Sequence, residues 1–342
     1  MLKSQRNMKN IFYFYKKQKK INSINLHSRN IIGILKEQLL CSITETSDVG
    51  VANSLNADDD VFFIPFGGFD YRLFKIRKFS SVVLVFHNIT PPKHFLWDDI
   101  PMAIFALLGY IQLYFLSKTK ARWITVSEFN ASLLKKYNVD AKVCPSIVEI
   151  PPSSIHECSK SEEPSVIYVG RIVQNKQCFE LLDIVCKASE QLKQKAIFYI
   201  VGNGKARSSY FKEYINKIRK LENHPYLKVE WKEGLNYNDL TKLYAQCWLY
   251  VTMSKHEGFG VPVCESVACG TPGLYTPCGG QETILNNCGV VNAEDFSNQI
   301  VRYIKSADER STLLSQQKKY VDTYMSPIID NKVKEVFGNF CK

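Results

Sequence analysis

Ser254-Lys255-His256-Glu257-Gly258-Phe259-Gly260-Val261-Pro262-Val263-Cys264-Glu265 decides how the rest of this chain is read. Ahead of it stands the apolar run Leu-Tyr-Val-Thr at 249–252, which predicts a short buried strand. Behind it, residues 262–269 predict a helix, with Pro262 suited to a first turn and Gly270 to the position after the last one. Strand, glycine-bearing turn and helix in that order suit a phosphate. Gly258 and Gly260 leave backbone N–H groups open to close approach, and the helix N-terminus adds partial positive charge. Two carboxylates flank the turn with seven residues between them: Glu257 in the loop and Glu265 about one turn into the helix. Carboxylates accept hydrogen bonds well from sugar hydroxyls.

Around this turn, strands alternate with helices. Strands are predicted at 166–169, 196–201 and 227–231, and helices at 179–191, 210–221 and 240–246. Toward the N-terminus the alternation repeats. Residues 11–15, 61–65, 81–86 and 123–126 read as strands; 25–40 and 128–136 read as helices, the second with Ser127 as its N-cap. The strand at 81–86 is apolar without a break after Ser81, the mark of a strand buried on both faces. Residues 151–164 break the pattern with prolines, serines and then acids, and read as a linker. A closing amphipathic helix is predicted at 328–340. The expected fold is therefore α/β with two Rossmann-like domains. Residues 1–150 form the first, 165–325 the second, and 326–342 a helix returning toward the first. Ligands of such sheets bind beyond the carboxyl ends of the strands, here in a cleft on which two sheets face each other.

Two cations follow the strand at 166–169: Arg171, directly after Gly170, and Lys176. Such cations suit an anionic ligand, and most of all one on which negative charge develops as a bond to phosphate breaks. Fixed cations stabilise that charge more in the transition state than in the ground state, Arg bidentately and Lys as a point charge. In the first half, His87 opens the string His-Asn-Ile-Thr-Pro at a strand's carboxyl end, where it would face the cleft.

These strings resemble a known family. The segment Glu257–Glu265 is similar to the E-x7-E signature of retaining GT-B glycosyltransferases, the large family of glycosyl transferases group 1. The resemblance implies that Glu265 binds the donor ribose and that Glu257 contacts the donor sugar. Tyr168-Val169-Gly170-Arg171 through Lys176 resembles the family's diphosphate-holding strand end. Val201-Gly202-Asn203-Gly204 resembles its second glycine turn, with Asn203 where Asp is commoner, and Gly279-Gly280-Gln281-Glu282 its late turn. His87 stands near a family histidine that contacts the donor sugar. By resemblance, the catalytic set is Glu257, His87, Arg171 and Lys176. The donor-binding set is Arg171, Lys176, Gly202, Asn203, Gly258, Phe259, Gly260 and Glu265. The implied reaction moves a hexose from a nucleoside diphosphate sugar to a glycan or lipid-linked acceptor, with no metal and no cofactor. The implied setting is bacterial surface polysaccharide assembly: O-antigen, lipopolysaccharide or capsule. An inactive GT-B partner subunit, and a GT-B-like epimerase or phosphorylase, are the alternatives.

Composition agrees with an anionic partner. Residues 1–150 carry 20 Lys and Arg against 12 Asp and Glu, a net of +8 out of the chain's +11. No nucleic-acid-binding motif accompanies the charge. Eleven cysteines form no C-x-x-C pair, so reduced thiols, no metal site and a cytoplasmic location are expected. Asp58-Asp59-Asp60 reads as an acidic turn rather than a metal-binding D-x-D. Lys16, Lys17, Lys19 and Lys20 crowd one stretch, and residues 100–117 carry no charge. Together they predict peripheral contact with the anionic inner face of a membrane, with 100–117 a domain helix rather than a span.

Overall fold

The computed structural model describes residues 9–14, 23–39, 43–96, 99–150 and 158–341. The lysines at 16, 17, 19 and 20, and residues 151–157 of the expected linker, lie outside the described residues. The chain divides into two compact units. One comprises residues up to 91, 104–147 and 324–342; the other comprises 92–103 and 148–323.

In chain order the first sheet and its helices are β1 (Asn10–Phe14), α1 (Ser23–Leu39), β2 (Ile43–Thr46), β3 (Asp60–Phe66), β4 (Val82–Phe86), α2 (Ile100–Leu116), β5 (Arg122–Thr125), α3 (Glu128–Lys135) and β6 (Ala141–Val143). The six strands are parallel, in the order β2-β1-β3-β4-β5-β6. Every residue of β4 is buried, as its unbroken apolar run requires. Alternate side chains of β3 and β4 serve opposite faces. Val61, Phe63, Val83 and Val85 join one core, which α1 supplies with Ile31, Ile32 and Leu35. Phe62, Ile64, Phe66, Val82, Leu84 and Phe86 join the other, with Leu113 and Leu116 of α2 and Leu134 of α3.

The second unit continues with β7 (Ser165–Val169), α4 (Cys178–Leu192), β8 (Ala196–Val201), α5 (Ser209–Lys220), β9 (Leu227–Lys232), α6 (Tyr237–Gln246), β10 (Leu249–Thr252), α7 (Val261–Ala268), β11 (Gly273–Tyr275), α8 (Gly280–Ile284), α9 (Phe296–Lys305) and α10 (Ala307–Val321). Its five parallel strands run β11-β10-β7-β8-β9. The last helix, α11 (Ile328–Gly338), belongs to the first unit. Ile329, Val333, Val336 and Phe337 enter the core beside β1 and β3, and the Phe337 ring lies 5.0 Å from that of Phe63.

Several elements give no periodic signal. β2, β6 and β11 have three or four residues each, too few for alternation to show. Asp60 is the first residue of β3 rather than part of a free acidic turn. Its carboxylate accepts from the Asn56 backbone N–H at 2.8 Å and from Asn10 Nδ2 at 2.9 Å, at the amino end of the strand.

Helix α10 is fastened by one side chain. Gln317 is fully buried; its Nε2 donates to Gly273 O at 2.8 Å and Cys288 O at 2.9 Å, and its Oε1 accepts from Gly273 N at 2.9 Å. Gln317→Leu would leave three buried backbone groups of β11 and its neighbouring turn unpaired. The expected loss is about 1–3 kcal/mol in urea unfolding followed by tryptophan fluorescence. A variant as stable as wild type would show that water reaches these groups.

Candidate functional site

The order of strands in the second sheet locates a site before any side chain is considered. From β7 the chain moves outward through β8 and β9, then crosses to β10 and β11 on the other side. The reversal falls between β7 and β10, and a crevice opens there beyond the carboxyl ends. Arg171 and Lys176 leave β7 at that point, and Ser254–Gly260 leave β10.

Backbone contacts knit these turns together. Gly170 N donates to Val201 O at 3.0 Å and Ile172 N to Asn203 O at 2.9 Å, which joins the β7 and β8 ends. Gly202 has φ +147°, and a Cβ on it would stand 1.9 Å from Gly170 O, so no other residue fits. Lys255 N donates to Asn175 O at 2.8 Å, which ties the β10 loop to the turn that carries Lys176. Gly280 N donates to Glu257 O at 2.8 Å, and Glu257 N to Cys278 O at 3.1 Å. Gly260 caps α7 at φ +97°, where a Cβ would stand 2.3 Å from Gln281 Cγ. Pro262 sits in the first turn of α7, and Gly270, at φ +85°, follows its end. Gly258, Phe259 and Gly260 are all buried, so the turn is a fixed part of the unit.

Within this frame the Lys176 ammonium is ion-paired to Glu257 Oε1, with both side chains largely sheltered. Arg171 differs: it is exposed, and among the described residues it has no ion pair. Tyr168 OH donates to Arg171 O at 3.0 Å and holds its backbone. One cation is thus partnered by a carboxylate and one is open to an anion. His94, at 6.1 Å, stacks on His256, the residue before Glu257. Burial, helped by Lys93 and Lys255, lowers the His94 pKa, so its ring is held neutral.

Glu265 is placed apart from the ion pair. It is buried on α7, where its Oε1 lies 3.0 Å from the Tyr237 hydroxyl and its Oε2 accepts from Tyr244 OH at 3.2 Å. Both tyrosines belong to α6. The Tyr237 hydroxyl also lies 2.5 Å from Glu149 O, which can only accept. The one Tyr237 proton is thus shared between the Glu149 carbonyl and the Glu265 carboxylate. Burial pushes Glu265 up to about 7, against the opposing hydrogen bonds of Tyr237 and Tyr244.

His87 lies in the other unit, just past β4. Its backbone O accepts from Asn130 Nδ2 at 2.7 Å, while its Nε2 is sheltered with no hydrogen-bond partner. The His27 ring stands edge-on, 5.1 Å away. Burial drives both imidazoles below their ordinary pKa, His27 to about 4 and His87 well down, with His27 adding to the effect on His87. Both are neutral bases at neutral pH.

Residues 153–321 match the family model described as "Glycosyl transferases group 1". This region belongs to the group 1 glycosyl transferases. The UDP-N-acetylglucosamine--peptide N-acetylglucosaminyltransferase GtfA subunit of Streptococcus pneumoniae is 26% identical over 268 residues, covering 74% of this chain and 49% of that protein. The O-antigen chain mannosyltransferase RfbU of Salmonella typhimurium is 24% identical over 209 residues, covering 61% of this chain and 56% of that one. The chain thus spans about half the length of these curated relatives. Among solved structures, Anabaena HepE in complex with UDP and glucose superposes with a TM-score of 0.68 at 16% identity, covering 97% of this chain and all of that one. The fold is GT-B.

In this group 1 glycosyl transferase region, the sequence-predicted Arg171, Lys176, Gly202, Asn203 and Glu257–Gly260 lie on turns that leave β7, β8 and β10 and that backbone hydrogen bonds join, while Glu265 is buried on α7 against Tyr237 and Tyr244. Sequence reasoning missed Tyr237 and Tyr244, the partners of Glu265, and His94. Asn236, which caps α6 by accepting from Asp239 N at 2.9 Å, was the available sign that Tyr237 opens a helix.

Glu265 makes stability depend on pH in a defined sense. Its folded pKa exceeds the ordinary 4.5, so folding favours the protonated form. That contribution is present at acid pH and is lost as pH rises through about 7. Glu265→Gln cannot titrate. Its stability relative to wild type should therefore rise, by of order 3 kcal/mol, between about pH 5 and about pH 8. Urea midpoints measured across this range check it; a constant difference would contradict the buried acid.

Proposed function

We propose that this chain is a retaining hexosyltransferase that moves a hexose from a nucleoside diphosphate sugar to a glycan or lipid-linked acceptor. The observation that carries the reading is the pairing of Lys176 with Glu257 beside the open Arg171, at the switch point of the second sheet. An arriving diphosphate competes with Glu257 for the Lys176 ammonium. Exchange of partners frees the Glu257 carboxylate to accept from sugar hydroxyls while Arg171 and Lys176 meet the charge of the departing diphosphate. Gly202, Asn203 and Gly258–Gly260 line the donor as backbone turns that leave room for its close approach. Glu265 takes the ribose, exchanging a tyrosine hydroxyl for a ribose hydroxyl. His87, held neutral, serves as a hydrogen-bonding partner of the donor sugar.

The names of the S. pneumoniae relative and of the Anabaena complex favour a UDP-sugar. That of the Salmonella relative favours bacterial surface polysaccharide. We place the protein in the cytoplasm, in peripheral contact with the anionic inner face of the membrane. The two cations supply the charge that a metal ion would otherwise supply, and the reaction as proposed uses none.

Arg171→Ala and Lys176→Ala are each expected to lower kcat by about 10²–10³. Steady-state transfer from UDP-glucose and UDP-N-acetylglucosamine, with the product anomer read by NMR, tests the reading. Both variants within a few-fold of wild type, or an inverted product, would sink it. Transfer should also persist in EDTA; abolition by EDTA with recovery in manganese would overturn the metal-free reading.

A further inference from the structure

Helix α2 is apolar on every side, yet only one side of it is covered. No charged residue occurs from 100 to 117. Ala103, Ala106, Leu113 and Leu116 are buried. On the opposite side Ile104, Leu107, Leu108, Ile111, Tyr114 and Phe115 are 38% to 61% exposed. A helix apolar all round belongs in a core or against lipid.

The bare face extends beyond the helix. Gln112 grips the backbone of Asp70 with both side-chain atoms, accepting from Asp70 N and donating to Asp70 O, each at 2.8 Å. This holds the 69–75 turn beside α2. Phe105 packs edge-on to Phe69 at 5.9 Å, and Phe69 meets Phe74 at 6.1 Å. Phe74 and Tyr71 are themselves 67% and 69% exposed. Nine of the thirteen large hydrophobic side chains exposed among the described residues fall on this one surface, far more than scatter would give.

Charge identifies what covers it. Lys75, next to Phe74, and Lys118 and Lys120, just past the end of α2, are exposed, and the Lys118 ammonium lies 5.4 Å from the centre of the Tyr114 ring. No Asp or Glu occurs in 71–97 or in 104–127. A second copy docked through this face about a two-fold axis would bring cation against cation. An anionic bilayer takes both parts at once, acyl chains against the apolar side chains and headgroups against the lysines. No helix of the described residues is long and apolar enough to cross a membrane. With one side of α2 committed to the core, it would lie in the plane of the bilayer surface.

We propose that the bare face of α2, with Tyr71 and Phe74, is a docking surface for an anionic lipid bilayer. The inference rests on the peripheral reading above and specifies its chemistry: apolar insertion holds the protein, and the cations orient it. Salt screens the second contribution and leaves the first.

Flotation with phosphatidylcholine–phosphatidylglycerol vesicles, and with phosphatidylcholine alone, tests it. Wild type should float with the mixed vesicles and stay largely bound in high salt. Ile104→Ser/Leu108→Ser/Ile111→Ser/Phe115→Ser should lower the partition coefficient at least about tenfold, with far-UV circular dichroism and UDP affinity unchanged. Lys118→Gln/Lys120→Gln should weaken binding only at low salt. Full release of wild type by salt, with the serine variant floating as wild type does, would overturn the α2 assignment and leave the peripheral reading standing. Failure of wild type to float with either vesicle would overturn both. A wild-type dimer that the serine variant converts to a monomer, read by sedimentation, would assign the face to a second copy instead.

Discussion

Parallel strands put all their carboxyl ends on one edge, and the reversal of strand order between β7 and β10 keeps any connection from filling the crevice there. The site depends on that constraint. Lys176 and Glu257, 81 residues apart in sequence, become partners because each sits in the turn that leaves one of these two strands. The contact of Gly202 with the Gly170 carbonyl brings in the β8 end, and the Gly280 N–H to Glu257 O bond brings in the late turn. The precision of the side chains is borrowed from backbone contacts that admit no Cβ.

The same constraint explains what could be read from the sequence. Long elements with a clear period were legible: β4 from its five apolar residues, α4 from its buried stripe, α7 from Pro262 and Gly270. The places of Arg171, Lys176 and Glu257 after strand ends, and of Glu265 on the following helix, were legible because strand, turn and helix signals are local. The ion pair was not, since it is a tertiary fact about two turns. Nor was the environment of Glu265. Only packing of α7 against α6 reveals that its carboxyl is buried between two tyrosine hydroxyls rather than waiting in solvent. The bare side of α2 was hidden for a related reason. Residues 100–117 are apolar throughout, so composition cannot say which side the core leaves uncovered.

The two glutamates illustrate how environment separates identical side chains. Glu257 is ion-paired to the Lys176 ammonium, with both side chains largely sheltered. Glu265, with hydroxyls and no cation around it, is raised toward neutrality. Seven residues of chain thus divide a charged hydrogen-bond acceptor from one that is poised to hold a proton.

Helix α11 carries a consequence for how the chain comes into being. The first unit draws on β1 near the N-terminus and on Ile329, Val333 and Phe337 near the last residues, whereas the second unit runs without interruption from 148 to 323 after one short earlier segment. During vectorial synthesis every residue of the second core is therefore made before α11, whose Phe337 ring packs on Phe63 of the first. The earlier-made domain is the later to close. Until α11 is made, the core beside β1 and β3 lacks Ile329, Val333, Val336 and Phe337, and the first domain cannot reach its final packing.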